Sequence, residues 1–173
     1  MLPLLTLVLG GAASGKSAYA EGLAMRAAPN RLYLATAQAW DDEMRQKVAR
    51  HQARRHQGWA TIEAPLQLGA ALAQAPADGV VLLDCATMWL SNHMLAGHDI
   101  EAETAQLLAD LAACPCPVVV VSNELGLSVV PENALARQFR QAQGELNQRL
   151  AAQAGLVAFV AAGLPLAMKG VLP

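Results

Sequence analysis

From residue 10 to residue 17 the chain reads Gly10-Gly11-Ala12-Ala13-Ser14-Gly15-Lys16-Ser17. This is the complete G-x-x-x-x-G-K-S pattern of a phosphate-binding loop. An apolar run over residues 4–9 precedes it and predicts a strand, and residues 17–28 after it predict a helix. Glycines let consecutive backbone N–H groups turn toward phosphate oxygens, and the helix N-terminus adds partial positive charge. The stretch therefore predicts a nucleotide site, and a chance glycine-rich turn is the alternative.

Strand-like and helix-like segments alternate through the rest of the chain. Short apolar runs predict strands over residues 31–35, 59–63, 80–85, 118–122 and 156–161, the last of the chain. Helices are predicted over residues 41–56, 66–74, 100–113 and 133–153, and the longest is expected to bury Leu135, Phe139, Leu146 and Leu150. Continuous apolar strands between helices are typical of a mostly parallel sheet covered on both faces. We therefore expect one α/β domain over residues 1–173, of the P-loop NTPase-like (RecA-like) class.

The position of Asp84 suggests a role beside the phosphate loop. It ends the apolar run of residues 80–83, as a Walker B aspartate would, and ligands of parallel sheets gather at the carboxyl ends of strands. By the same pattern Lys16 is expected to bridge the β- and γ-phosphates, and Ser17 and Asp84 to hold Mg²⁺. An ordinary carboxylate capping a strand end is the alternative for Asp84.

Composition excludes several classes of protein. Hydrophobic residues make up 54% of the chain and charged residues 15%, which indicates a folded protein. The net charge of −2 provides no basic field for non-specific nucleic-acid binding. No run approaches the roughly 20 apolar residues that span a bilayer, so we expect a cytoplasmic protein without a membrane span. Cys85, Cys114 and Cys116 are expected to be reduced thiols.

A basic segment surrounds one histidine. Five of the 12 Lys and Arg residues fall between residues 45 and 55, and His51 lies among them. This pattern fits a solvated basic helix face, or a cationic clamp on a triphosphate with His51 as base or nucleophile. His56 is expected at the surface. His93 and His98 flank a loop-like stretch without metal-ligand spacing and are expected to be structural or exposed.

These motifs, taken in order, resemble the bifunctional adenosylcobinamide kinase / adenosylcobinamide-phosphate guanylyltransferase family. Besides residues 10–17, the resemblance rests on segments along nearly the whole chain: Tyr33-Leu-Ala-Thr-Ala37, Asp41-Asp-Glu-Met44, His51-x-x-x-Arg55, Trp59-x-Thr-x-Glu63, Leu83-Asp-Cys-x-Thr-Met-Trp-Leu90 with Asn92, Ser122-Asn-Glu-x-Gly126, Val130-Pro-Glu-Asn133, Ala136-Arg137, Phe139-Arg140, Gly144-x-x-Asn147 and Ala162-Gly-Leu-Pro-Leu-x-x-Lys-Gly170. One departure is Ala13, where many members carry Arg, which removes a possible phosphate contact.

The resemblance implies two reactions. ATP or GTP phosphorylates adenosylcobinamide, and GTP then donates GMP to that phosphate through a guanylylated histidine, which is His51 here. It also implies a corrinoid substrate and a homotrimer. The nucleotide contacts it implies are the phosphate loop with Lys16, then Ala35, Thr36, Ala37, Gln52, Ala53, Arg54, Arg55, Glu63 and Asp84.

Three other functions remain as alternatives. A single-reaction P-loop small-molecule kinase would use the loop and Asp84, with His51 an ordinary helix residue. A GTP-binding switch protein is disfavoured because the chain lacks an Asn-Lys-x-Asp element. A RecA-like ATPase acting on nucleic acid is disfavoured by the charge and by an aromatic content of 4%.

Overall fold

The computed structural model describes residues 1–37 and 58–173. In this part of the chain seven strands form one sheet: β1 (Leu5–Gly10), β2 (Arg31–Ala35), β3 (Trp59–Glu63), β4 (Val80–Asp84), β5 (Val118–Asn123), β6 (Leu156–Ala161) and β7 (Leu164–Lys169). The helices are α1 (Lys16–Ala27), α2 (Leu68–Leu72), α3 (Ala86–Leu95), α4 (Ile100–Ala113) and α5 (Ala134–Gln153). The helix predicted over residues 41–56 lies outside the described residues.

The sheet has the order β3-β2-β4-β5-β1-β6-β7. Strands β1 to β6 pair in parallel with one another, and among the described strands only β7 is antiparallel to its neighbour, which is β6. Every residue of β1 is buried, as are the first four of β4 and the first five of β5. Because these central strands are covered on both faces, they read as continuous apolar runs. The predicted mostly parallel α/β fold is confirmed.

Helices cover the two faces of the sheet unequally. Helix α1 packs Ala20, Leu23 and Ala24 against one face, where Val8 and Val119 are among the residues that meet it. The remaining helices cover the other face, which contains the larger apolar cluster. The phosphate loop therefore joins the central strand β1 to the helix that lies alone, among those described, on its face.

Two elements differ from the sequence expectation. Strand β7 follows β6 through a tight turn at Ala162 and Gly163, whose φ angles are 52° and 78°. The expectation that residues 156–161 form the last strand is therefore wrong. Helix α3 was not predicted because Trp89, Asn92 and His93 are all buried, so it lacks a polar stripe.

Two further expectations, one on a helix boundary and one on burial, also changed. The helix expected over residues 66–74 is limited to Leu68–Leu72. In α5, Leu146 and Leu150 are buried as expected, but Leu135 is 56% exposed. Leu135 belongs to the first turn of α5, and the buried residues of this helix begin at Gln143. Among the helices in the described ranges, none combines the length and apolar character that a bilayer crossing requires.

Candidate functional site

The phosphate loop connects the end of β1 to the start of α1. Its backbone enters the left-handed region at Ala13 (φ 55°) and Gly15 (φ 92°). The Lys16 ammonium folds back over the loop, and its Nζ donates to the Gly11 carbonyl at 2.9 Å. The Gly163 N–H donates to the Ser14 carbonyl at 2.8 Å, so the turn between β6 and β7 supports the loop from behind. The geometry predicted for residues 10–17, a strand followed by a loop and a helix, is present.

Two acidic groups lie within electrostatic range of Lys16. Burial lowers the pKa of the Lys16 ammonium, and the nearby Cys85 and Asp84 side chains oppose this effect. Burial and, after it, the negative charge of Asp84 raise the pKa of the Cys85 thiol to about 11. The thiol is therefore neutral at neutral pH. Asp84 is the group that supplies negative charge beside Lys16.

Asp84 ends β4 in register with Ala35 of β2. The Tyr33 hydroxyl donates to Asp84 Oδ2 at 3.3 Å. Tyr33 precedes Ala35 by two residues on β2, and the period of two along a strand gives it the same side of the sheet. Tyr33 was not expected beside Asp84, although the alternation of side chains along a strand could have indicated this position.

Thr36 fastens the ends of β2 and β4 together. Its Oγ1 donates to the Cys85 carbonyl at 2.7 Å and accepts from the Cys85 N–H at 2.8 Å. Asn92 Nδ2 in turn donates to the carbonyls of Thr36 and Pro65, each at 2.9 Å. Thr36 is fully buried, so its side chain orders this edge, while Ala35 and Ala37 on either side are partly exposed.

A second polar link fixes the other side of the loop. The Asn123 N–H donates to Thr87 Oγ1 at 2.8 Å, and the Glu124 N–H donates to the Gly10 carbonyl at 3.1 Å. Gly10 and Asn123 are register partners of β1 and β5. The carboxyl ends of β1, β2, β4 and β5 thus form one edge, which brings the loop, residues 35–37 and Asp84 together.

Glu63 lies farther along the same edge. It ends β3 in register with Ala35, and its side chain is exposed. From β3 to β1 there are four strand spacings, or about 19 Å at the usual separation. His51, Gln52, Ala53, Arg54 and Arg55 lie outside the described residues.

Ser17 and Asp84 carry oxygen donors of the kind that bind Mg²⁺. Ser17 directly follows Lys16 in the first turn of α1, and Asp84 lies within electrostatic range of that lysine. Hydroxyl and carboxylate oxygens are the hard ligands that Mg²⁺ selects. The residues present therefore fit the ion, and the charge of Asp84 favours it.

Sequence comparison identifies relatives along almost the entire chain. A family described as "Cobinamide kinase / cobinamide phosphate guanyltransferase" matches residues 6–168. The chain is 44% identical to the "Bifunctional adenosylcobalamin biosynthesis protein CobP" of Pseudomonas aeruginosa, over 95% of this chain and 96% of that protein. It is 39% identical to the CobU protein of Salmonella typhimurium, which bears the same bifunctional description, over 96% of this chain and all of that protein.

Solved structures support the fold. The RadB recombinase superposes with a TM-score of 0.55 at 16% identity, covering 91% of this chain and 74% of that chain. An ATPase of a type III secretion system gives a TM-score of 0.54 at 10% identity, covering 94% of this chain and 56% of that chain. At such low identity these two likenesses show a shared fold and nothing about substrate.

Proposed function

The chain belongs to the cobinamide kinase / cobinamide phosphate guanyltransferase family, and on this premise we propose that its phosphate loop serves both reactions. The protein is a bifunctional enzyme of cobalamin biosynthesis: it phosphorylates adenosylcobinamide and then transfers GMP to the phosphate. The observation that carries the proposal is Lys16, held over the loop by the Gly11 carbonyl and within electrostatic range of Asp84. A single P-loop motif occurs in the sequence, so one triphosphate site has to serve two donors.

In the kinase step the loop holds and orients the donor. Backbone N–H groups of residues 10–17 surround the phosphates, and Lys16 exchanges its contact with the Gly11 carbonyl for the β- and γ-phosphates. Its partial burial strengthens this interaction, because charges attract more strongly where water is excluded. Ser17 and Asp84 would hold Mg²⁺, which when bound neutralises phosphate charge. The corrinoid hydroxyl oxygen then attacks the γ-phosphorus, the nucleoside diphosphate leaves, and the hydroxyl proton is released to solvent.

In the guanylyl transfer, His51 is the proposed nucleophile. A histidine with an ordinary pKa near ~6.5 is mostly neutral at neutral pH and has a free nitrogen lone pair. That nitrogen attacks the α-phosphorus of GTP, a P–N bond forms, and pyrophosphate leaves. The phosphate oxygen of the phosphorylated corrinoid then displaces the histidine and receives GMP. Arg54 and Arg55 follow in the sequence and would neutralise the developing charge, and Gln52 and Ala53 are proposed to contact the same nucleotide.

The nucleoside is proposed to lie along the strand ends away from the loop. Ala35 and Ala37 are partly exposed at the strand edge that Asp84 shares, and Glu63 lies about 19 Å from the loop by strand spacing. This separation suits a contact with guanine or ribose better than one with phosphate. The methyl side chain of Ala13 cannot bind phosphate, so only the backbone of this residue is available for a contact.

The resemblance also supports a homotrimer, and the sequence pattern supports a cytoplasmic protein in which residues 1–173 act as one domain. Light scattering on the purified chain measures the assembly directly. A monomer at micromolar concentration would contradict the trimer and leave the two reactions unaffected.

The central experiment labels the enzyme with GTP and no acceptor. Wild-type protein incubated with Mg-GTP labelled at the α-phosphate should retain the label through denaturation. The label should be lost in acid and stable in base, as for a phosphoramidate, and γ-labelled GTP should leave none by this route. His51→Ala should abolish labelling but still phosphorylate adenosylcobinamide, so the phosphorylated corrinoid accumulates.

Two further variants make this result specific. His56→Ala, the neighbouring histidine, should keep the label at the wild-type level. Lys16→Ala should lose both reactions, because both use one phosphate loop. Label that persists in His51→Ala would refute the nucleophile, and normal rates in Lys16→Ala would refute the shared loop.

A further inference from the structure

On the face of the sheet opposite α1, three side chains of types that bind metals lie close together. His93 belongs to α3, His98 to the turn after it, and Glu103 to the first turns of α4. Their ligand atoms lie within 4.8 Å of one another. His93 and His98 have no metal-ligand spacing in the sequence, and their proximity to Glu103 arises only in three dimensions. We propose that His93, His98 and Glu103 bind a divalent zinc-type cation, independently of the nucleotide reactions.

The distances fit such an ion with small adjustments. His93 Nδ1 lies 2.9 Å from His98 Nδ1 and 3.6 Å from Glu103 Oε2. His98 Nδ1 lies 3.9 Å from Glu103 Oε1. Ligand atoms at ordinary zinc distances in a tetrahedron are about 3.4 Å apart. The observed separations bracket that value, and both histidines direct the same ring nitrogen, Nδ1, to the common point.

The other ring nitrogen of His93, Nε2, already has a partner. His93 is 3% exposed, and its Nε2 lies 3.3 Å from the Leu66 carbonyl. In the tautomer that donates from Nε2 to this carbonyl, the Nδ1 lone pair is free for a metal, which is the usual arrangement of a metal-binding histidine. Trp89 Nε1 donates to the same carbonyl at 3.0 Å, and its ring centroid lies 4.5 Å from that of His93.

The turn before α4 places the second ligand. The His98 N–H donates to the His93 carbonyl at 3.1 Å, which folds the chain back onto α3. The Asp99 side chain then caps α4 by accepting from the N–H groups of Glu101 and Ala102. These bonds fix the start of α4 and with it Glu103. A bound ion would therefore join two helices and the turn between them.

The donor set selects the kind of ion. Two imidazoles and one carboxylate suit Zn²⁺, and also Co²⁺ and Ni²⁺, whereas Mg²⁺ prefers oxygen donors alone. The cluster borders a pocket of about 460 Å³ that Gln67, Gln106 and Asp110 also line. Three protein ligands with a fourth position toward this pocket leave room for water or a small anion.

The first test measures zinc on the whole protein. Tag-free, metal-stripped chain is dialysed against Zn²⁺, and bound metal is counted by mass spectrometry. One equivalent is expected on the wild type. His98→Ala and Glu103→Gln should each weaken its binding at least about tenfold. His98 is 39% exposed, so its replacement should leave the fold intact. Glu101→Gln, a change of the same charge on the same helix, should bind zinc like the wild type.

A second readout reports from the site itself. Co²⁺ should quench the fluorescence of Trp89, whose ring packs on His93. The quenching should disappear in Trp89→Phe and in His98→Ala, whereas Cys114→Ser with Cys116→Ser should retain it. Equal zinc binding by His98→Ala and wild type, or quenching that survives in His98→Ala, would overturn the proposal. Neither result bears on the labelling of His51.

Discussion

Lys16 and Asp84 come from different elements, and their opposite charges meet at the carboxyl edge of the sheet. Lys16 opens α1 and Asp84 ends β4, so the two residues are 68 positions apart in the sequence. Parallel strands bring such ends together, so the pair results from the fold. The proposed division of work is that Lys16 neutralises the transferred phosphate and Asp84 supplies a metal ligand.

Asp84→Asn tests the metal role. The amide keeps the shape but loses the charge that favours Mg²⁺, so turnover of both reactions should fall at least about a hundredfold. Since Asp84 also raises the pKa of Cys85 above its usual value, the variant should lower that pKa from about 11. The Cys85 thiolate then becomes more abundant between pH 8 and about 9. Alkylation of Cys85, followed by mass spectrometry, should therefore be faster in Asp84→Asn than in the wild type. Unchanged Mg²⁺ dependence would leave Asp84 a structural residue.

Glu63→Gln tests recognition of the nucleoside. A carboxylate at the end of β3 can accept from the N–H edge of guanine, whereas an amide presents a mixed donor and acceptor pattern. The ratio of kcat/KM for GTP to that for ATP in guanylyl transfer should fall about tenfold or more, as for loss of a charged hydrogen bond. The kinase step with ATP serves as the internal control. An unaltered ratio would make Glu63 a surface carboxylate.

At the scale of elements, the phosphate loop depends on its packing against β6 and the following turn. An ideal Cβ at Gly10 would lie 2.5 Å from both Ser14 Oγ and the Val160 carbonyl oxygen, whereas one at Gly11 would meet nothing within 4 Å. The two adjacent glycines therefore form a matched pair that differs in available space.

Gly10→Ala should destabilise the protein, and Gly11→Ala should not. The new methyl group at residue 10 pushes on the backbone of β6, which costs about 1–3 kcal/mol. At residue 11 the change should stay within about 0.5 kcal/mol. Urea unfolding followed by circular dichroism measures both. Similar midpoints of unfolding for the two variants would contradict the tight packing at Gly10.

At the scale of the molecule, a buried polar cluster joins α5 to the centre of the sheet. Ser122 Oγ donates to Asn147 Oδ1 at 2.7 Å, and Gln143 Nε2 lies within 3.0 Å of both acceptor oxygens. Asn147 Nδ2 donates to the Asn123 carbonyl at 3.0 Å. The cluster lies beside the end of β5, next to β1, so it fixes the long helix close to the phosphate loop.

Asn147→Ala should be among the more damaging changes to a polar residue. It leaves the Ser122 hydroxyl, the Gln143 amide and the Asn123 carbonyl short of a partner, and each buried unsatisfied group costs about 1–3 kcal/mol. We expect a total loss of about 2–4 kcal/mol in the free energy of unfolding after partial rearrangement. Gln141→Ala, which removes an exposed contact to Glu145 on the same helix, is the control. Equal stability of the two variants would show that the cluster contributes little.

The local sequence determined the elements whose pattern agrees with their environment. Strands form over residues 31–35, 59–63 and 156–161, and a helix forms over residues 100–113, each with the predicted limits. In each of these segments the spacing of the apolar residues agrees with the element that forms. The loop at residues 10–17 was equally clear, since glycines and a lysine at fixed spacing have one common use. The two-reaction function followed from motifs spread along nearly the whole chain.

Tertiary structure alone decided the remaining features. Helix α3 lacks a polar stripe because neighbours cover nearly all of it, and β7 exists because a tight turn returns the chain to β6. The hydroxyl of Thr36 is used within the protein, which no local pattern records. His93, His98 and Glu103 follow one another at intervals of five residues, which is no metal-binding spacing on one helix. They meet because the chain reverses between α3 and α4, and proximity of side chains across a turn is a property of the fold.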